Sequence, residues 1–250
     1  MTKRWTRRPS GSTWGDWGDD DELGRINLLT PEKVLRGVRE VEAGFSFCLS
    51  LPLDYPGGTA LNQRRHPPVL VPTEDMEGKP DIFYNVHQSE METWGHPKYV
   101  DVWNDDVVTL SLQYSTQWDS FAHAGAEFDA DGDGIEEPVY YNGYRAGIDL
   151  VGPKPDAAGD GGRHLCFAHH LGLEHMAFHG VQGRGVLVDV AHHLGHEWRA
   201  VDRKTLEEIM AADDVVVEPG DMLLVHTGFA TKVLEWNRDP DPVKIQAMCA

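Results

Sequence analysis

Gly183-Arg184-Gly185-Val186-Leu187-Val188-Asp189-Val190 is the stretch on which the fold class turns. From Gly185 to Val190 the run is apolar and rich in β-branched residues, which predicts a strand buried on both faces, as in sheets covered by helices. Downstream, Asp202 can cap a helix running from Arg203 to about Ala212. Val215–Val217, the turn Glu218-Pro219-Gly220-Asp221 and Met222–Val225 then read as two strands in sequence, and Phe229 to Trp236 reads as a helix. Upstream, Thr30 stands at a cap position, Pro31 suits the first helical turn and Glu32 the positive end of the dipole. Val34, Val38 and Val41 make that helix's apolar face and Gly44 ends it, while Phe45 to Leu51 alternates as a strand. Val107 to Gln113 reads as a further strand, and Leu165–Phe178 as a helix. Residues 54–100 and 152–163 read as long loops, a length usually tied to function. Helices and strands alternate without strict βαβ order, so the class is α/β or α+β.

The 250 residues carry 22 basic and 41 acidic side chains, a net charge of −19. Such a surface repels phosphate backbones and anionic lipids, which argues against nucleic-acid and membrane partners. Three cysteines, Cys48, Cys166 and Cys249, are too few for a disulfide framework, and no apolar run approaches the length of a membrane span. The basic opening Met1-Thr2-Lys3-Arg4-Trp5 is not followed by an apolar stretch. A reduced, cytoplasmic chain without a secretory leader is the expectation, with residues 1–13 a loose basic arm and 14–250 a single domain.

The segment Gln113-Tyr114-Ser115-Thr116-Gln117-Trp118-Asp119-Ser120-Phe121-Ala122-His123 is the richest in chemistry. Asp119 and His123 are four apart beside three good hydrogen-bonding side chains. A carboxylate and an imidazole so close can share a divalent metal or act as orienter and base.

This segment, with Asp20-Asp21-Glu22-Leu23-Gly24, Asn27-Leu28-Leu29-Thr30-Pro31-Glu32, Ser50-Leu51-Pro52-Leu53, Tyr141-Asn142-Gly143, Gly183–Asp189 and Gly220–Gly228, resembles in order the blocks of the cyclase family of metal-dependent hydrolases, which includes bacterial kynurenine formamidases. The resemblance implies an α/β chain with a swivelling β/β/α domain of the cyclase / kynurenine formamidase type, commonly a homodimer or higher homo-oligomer. It also implies hydrolysis of small amides such as N-formylkynurenine, a step of tryptophan catabolism, or of cyclic amides and lactones. The family signature, His-x-Gly-Thr-His-x-Asp-x-Pro-x-His, lays its Thr on Thr116, its Asp on Asp119 and its last His on His123. Both upstream histidines fall on Gln113 and Gln117, similar to a branch of the family with a Gln-Trp-Asp motif, and the proline falls on Phe121. The resemblance therefore implies Asp119, Gln113 and Gln117 around a divalent metal, His123 as proton shuttle, and Trp118 and Thr116 towards the substrate. His226 is an additional candidate. Manganese or zinc is the implied cofactor, and amide oxygens favour manganese or magnesium over zinc. The family's remaining ligands, a His and a Glu, lie downstream of the Val225–Gly228 block, and nothing in residues 229–250 fits them. The chain thus resembles a member lacking its C-terminal part. A non-catalytic relative, serving as a ligand-binding or oligomerisation scaffold, is the alternative.

Eight of the 13 histidines fall between His164 and His196. His175 and His179 have helical i, i+4 spacing but no His-Glu-x-x-His context, and His192, His193 and His196 suit a solvated loop. Asp129-x-Asp131-x-Asp133-Gly134 matches the opening of a calcium loop, although Tyr140 stands where the twelfth position needs Glu. Trp14, Trp17, Trp94 and Trp118 read equally as core cover or as pocket wall.

Overall fold

The computed structural model describes residues 3–75, 78–80, 101–153 and 165–249. Trp94, His164, residues 76, 77 and 81–100 of the first long loop and 154–163 of the second lie outside these residues. The contacts divide the chain into two compact units, each discontinuous in sequence: Met1–Cys48 with Trp118–Gly228, and Leu49–Gln117 with Phe229–Ala250.

The first unit begins with α1 (Pro31–Arg39). Thr30 holds the extended backbone of a cap but makes no side-chain bond to the helix backbone. Its hydroxyl instead serves the Glu32 carboxylate and holds it below its usual range. The helix stops five residues before Gly44, so Val41 lies beyond it. Gly37 is needed for packing, since a Cβ there would sit 2.6 Å from the Gly183 carbonyl carbon. Beside that contact Arg36 forks onto Glu218, Lys33 adds a 3.7 Å approach, and Arg184 pairs with Asp221 at 3.1 Å. The Arg36 bonds hold the Glu218 carboxyl below its normal range.

In the second unit β1 (Val69–Pro72) pairs antiparallel with β2 (Asp106–Thr109), a shorter strand than the alternation from Val107 to Gln113 predicts. Returning to the first unit, β3 (Ala126–Phe128) and β4 (Glu137–Val139) form a hairpin, and β5 (Leu150–Val151) pairs with β6 (Phe167–Ala168). That last pairing takes residues from the predicted helix at Leu165, and α2 is confined to Leu173–His179. β7 (Gly185–Asp189) is followed by α3 (Val190–Leu194), α4 (Arg203–Ala212) and β8 (Met222–His226). β7 and β8 are parallel, in the register Val186 with Leu223 and Asp189 with His226. α5 (Phe229–Glu235) and α6 (Pro242–Cys249) complete the second unit.

β7 corrects one expectation. It alternates, with Val186 and Val188 buried and Leu187 57% exposed. α4 covers one face only, through Ile209, Leu206 and Met210 against Val188 and Val190. α4 itself starts where Asp202 dictates, since the Asp202 carboxylate accepts the Thr205 N–H at 2.8 Å and is thereby held below its usual range. Phe45 to Leu51 forms no strand, and neither does Val215–Val217. Alternation alone makes no ladder, and the exposed rings of Phe45 and Phe47 find no pairing strand among the described residues.

A polar centre holds the other side of the first unit together. Asn142, fully buried and at φ 58°, donates its amide to the carbonyls of Gly18, Asp19 and Asp21 at 2.9, 3.0 and 3.1 Å. Its side-chain oxygen accepts the Gly15 N–H at 2.9 Å. Next to it Trp14 packs with Ala130 and Val139, flanked by Trp5 and Phe128, so Trp14 is core. Residues 3–8 contribute here: Arg4 pairs with Asp20, Arg7 with Asp129, Arg8 with Asp16, and Thr6 N–H donates to the Ala130 carbonyl. No helix among the described residues is long and apolar enough to cross a membrane.

Candidate functional site

Residues 113–123 form neither helix nor strand: turns and bends at 113–116 and 121–123 flank an irregular stretch at 117–120. Its first half belongs to the second unit and is tied down by backbone contacts. Tyr114 is buried and its hydroxyl donates to the Gly58 carbonyl at 2.8 Å; burial pushes the phenol up. Ser115 Oγ donates to the Pro52 carbonyl at 2.9 Å, and Thr116 Oγ1 accepts the Leu51 N–H at 2.9 Å. Arg65 donates to the main-chain carbonyl of Gln113 at 2.7 Å. Thr116 is therefore committed to the neighbouring backbone, while Gln117 is exposed.

The second half belongs to the first unit. Ala122 N–H donates to the Leu171 carbonyl at 3.2 Å, His123 N–H to the Ser120 carbonyl at 3.1 Å, and the Phe121 ring stacks on Tyr141 with centroids 4.5 Å apart. Phe121, standing where the family signature has proline, thus anchors this half through its side chain. Asp119 and His123 are exposed, as is Trp118 at 63%. The backbone is held and the chemistry-bearing side chains face outward. The division between the units falls between Gln117 and Trp118, so Gln113, Thr116 and Gln117 stand in one and Trp118, Asp119 and His123 in the other.

Among the described residues one group brings three metal-ligating side chains together: Asp129, Asp131 and Asp133, with ligand oxygens within 4.8 Å of one another. Its setting is the β3–β4 hairpin, not a helix–loop–helix. Asp129 accepts the Gly132 N–H at 2.7 Å and the Gly134 N–H at 3.1 Å and also meets Arg7. Asp131 accepts the Asp133 N–H at 3.2 Å, and Asp133 accepts that of Ile135 at 2.8 Å. These carboxylates shape the turn, and a cation there has to compete with the Arg7 guanidinium. Asp119 and His123 belong to no such three-membered group among the described residues. The donor types the signature offers, a carboxylate at Asp119 and amide oxygens at Gln113 and Gln117, chemically suit a hard divalent ion.

Four histidines, His170, His175, His193 and His226, meet carboxylates. Glu22 lies 2.9 Å from His170 Nδ1 and 3.0 Å from His175 Nε2, and it also accepts the Leu171 N–H; its side chain is 14% exposed. Tyr144 stacks on His170 at 4.7 Å, and the Arg4 guanidinium lies over the Tyr144 ring at 3.9 Å. His175 also faces a cleft of about 740 Å³ between Asp20–Leu23 and the α2 side chains Glu174, Phe178 and His179. At the carboxyl ends of the parallel strands, His226 Nδ1 lies 2.8 Å from Asp189, which also caps the His192 N–H at 2.9 Å. These contacts depress the Asp189 carboxyl, the His192 N–H first and His226 next. His193 pairs with Asp213 at 2.8 Å. The sequence showed the His175/His179 spacing and the Asp20–Gly24 block separately. Nothing local joins them, because Glu22 and His170 are 148 residues apart.

The family model described as "Putative cyclase" matches residues 48–246, well over half the chain and across the whole of 113–123. A crystal structure described as a novel cyclase superimposes with a TM-score of 0.64 at 28% identity, covering 95% of this chain and 66% of that one. The architecture is the α/β arrangement of that structure. No curated protein matches the chain.

Proposed function

The chain belongs to the cyclase family, and from that premise we propose that it is a metal-dependent hydrolase of small amides, cyclic amides or lactones, arylformamidase-like in chemistry. The observation that carries the reading is the family match running through the segment that holds Asp119 and His123. In it, Asp119 with Gln113 and Gln117 presents oxygen donors to manganese, zinc or magnesium. A divalent ion in such a place supplies the Lewis acidity that polarises a carbonyl and lowers the pKa of a water. His123, four residues on and exposed, moves a proton between the attacking water and the departing amine. Trp118 offers a flat apolar surface to an aryl substrate, and Thr116, bonded to Leu51, fixes the backbone from which Gln117 projects. A homodimer in a cytoplasmic setting belongs to the same reading.

A second reading, the non-catalytic scaffold, is favoured by one observation: Asp119 and His123 form no three-membered metal group among the described residues. Metal content by mass spectrometry separates the two, with Asp119→Asn and Asp131→Ala as paired variants. Stoichiometric metal lost only in Asp119→Asn, with turnover of an aryl formamide, supports the hydrolase. Metal lost only in Asp131→Ala places the ion on the hairpin, and no metal in the parent chain supports the scaffold.

A further inference from the structure

The cleft between Asp20–Leu23 and α2 contains none of the signature residues and no lysine or arginine among its lining side chains. Its volume, about 740 Å³, lies in the range of small-molecule sites. Its carboxylates are not equivalent. Asp20 is committed to Arg4 at 3.0 Å. Asp21 accepts from the Gly24 N–H, the Asn27 amide and the Tyr141 hydroxyl. Glu22 is taken by two imidazoles and the Leu171 N–H. Glu174 is different: its closest ion-pair approach is 3.8 Å to His175, and its side chain is 67% exposed.

Four residues along α2 stands Phe178, 97% exposed, while Met176 between them is turned into the unit. Glu174 and Phe178 are therefore one helical turn apart on the wall of the same cleft, a separation of about 5–6 Å between Cβ atoms. An anionic group and an open aromatic face at that spacing match a ligand with a cationic nitrogen two carbons from a ring.

We infer that this cleft binds a primary arylalkylamine, the ammonium on Glu174 and the ring on Phe178. The ring gains an offset or edge-on aromatic partner, and the ammonium gains a carboxylate within a wall of like charge. The same wall rejects an anionic isostere. Asp20, Asp21 and Glu22, already bonded, also line the cleft and add long-range attraction. His175, held on Glu22 at 3.0 Å, lines the cleft as well. The site needs no metal and does not depend on Asp119, so it stands or falls apart from the hydrolase reading.

The test is calorimetric titration of the full chain at about pH 8, where the carboxylates are ionised and the probe amine is protonated. Phenethylamine is the probe, and 3-phenylpropionate is its opposite-charge counterpart. One-site saturable binding of phenethylamine is expected, with none for phenylpropionate. Glu174→Gln and Phe178→Ala should each weaken binding by about ten-fold, the loss of one charge-assisted or one aromatic contact. Both side chains are exposed, so the variants keep the parent melting curve. No saturable binding in the millimolar range, equal binding of both probes, or unchanged binding in either variant overturns the inference.

Discussion

The buried centre at Asn142 and the signature at 113–123 are both polar, and they are built in opposite ways. Around Asn142 both side-chain atoms are spent on backbone partners, and water is excluded. Along the signature the backbone is pinned by Ser115, Thr116, Ala122 and Phe121, while Gln117, Asp119 and His123 face outward. The first arrangement converts polarity into rigidity. The second leaves its polar side chains exposed to solvent. Both segments lie within the family match, so membership of a matched block does not by itself separate a buried structural polar residue from an exposed one.

Asn142→Ala should break the comparison most violently. It strips hydrogen bonds from three carbonyls and one N–H, a loss on the order of 4 kcal/mol and close to the whole stability of a marginal domain. Urea denaturation reads it, and a midpoint near the parent's would show that the centre is looser than its geometry. His123→Ala should do the reverse, cutting turnover about 10²–10⁴-fold while leaving the urea midpoint in place. Loss of stability in that variant would make His123 a packing residue.

Ile209→Ala lies between them, touching neither centre. Removing a buried side chain that packs on Val188 and Val190 should cost roughly 2–5 kcal/mol. Turnover per folded molecule should not change.

Acid tests a gentler boundary. Asp189, Asp202 and Glu218 all titrate below their unfolded-state values because the fold donates hydrogen bonds to their ionised forms. Their contribution is complete above about pH 5, beyond the unfolded-state values, and is lost as the pH falls through the depressed native values, because the unfolded chain then binds protons more readily. Melting temperature should therefore be flat from neutrality to about pH 5 and fall below pH 4. Asp202→Asn, with its smaller cap acceptance, should shave the upper part of that fall and shift the neutral melting point least of all.

How much of this was legible beforehand depends on how far apart the partners lie. α4 begins where Asp202 places it because a cap and its N–H are three residues apart. β7 was found by its composition, but its single covered face was not, since that depends on α4 packing on one side only. The helix predicted from Leu165 lost its first turns to a strand partner at Leu150–Val151. Phe45–Leu51 has the alternation of a strand without a ladder. At the candidate site, spacing and the family pattern single out Asp119 and His123, while the three-membered metal group among the described residues is Asp129, Asp131 and Asp133. The Glu22 link to His170 and His175 was not legible, because it joins segments about 150 residues apart, a distance no local pattern spans.

Asn142 is followed by Gly143, the dipeptide most prone to spontaneous ageing in solution. That reaction needs the Gly143 nitrogen to swing onto the side-chain carbonyl carbon of Asn142 and expel ammonia. Here the nitrogen is engaged with the Tyr140 carbonyl at 3.0 Å, and the amide that must leave is clasped by three carbonyls. The folded protein is thus chemically protected at its most perishable bond. Each excursion to the unfolded state restarts the clock, so isoaspartate accumulating at this position over weeks of storage records the time the chain has spent unfolded.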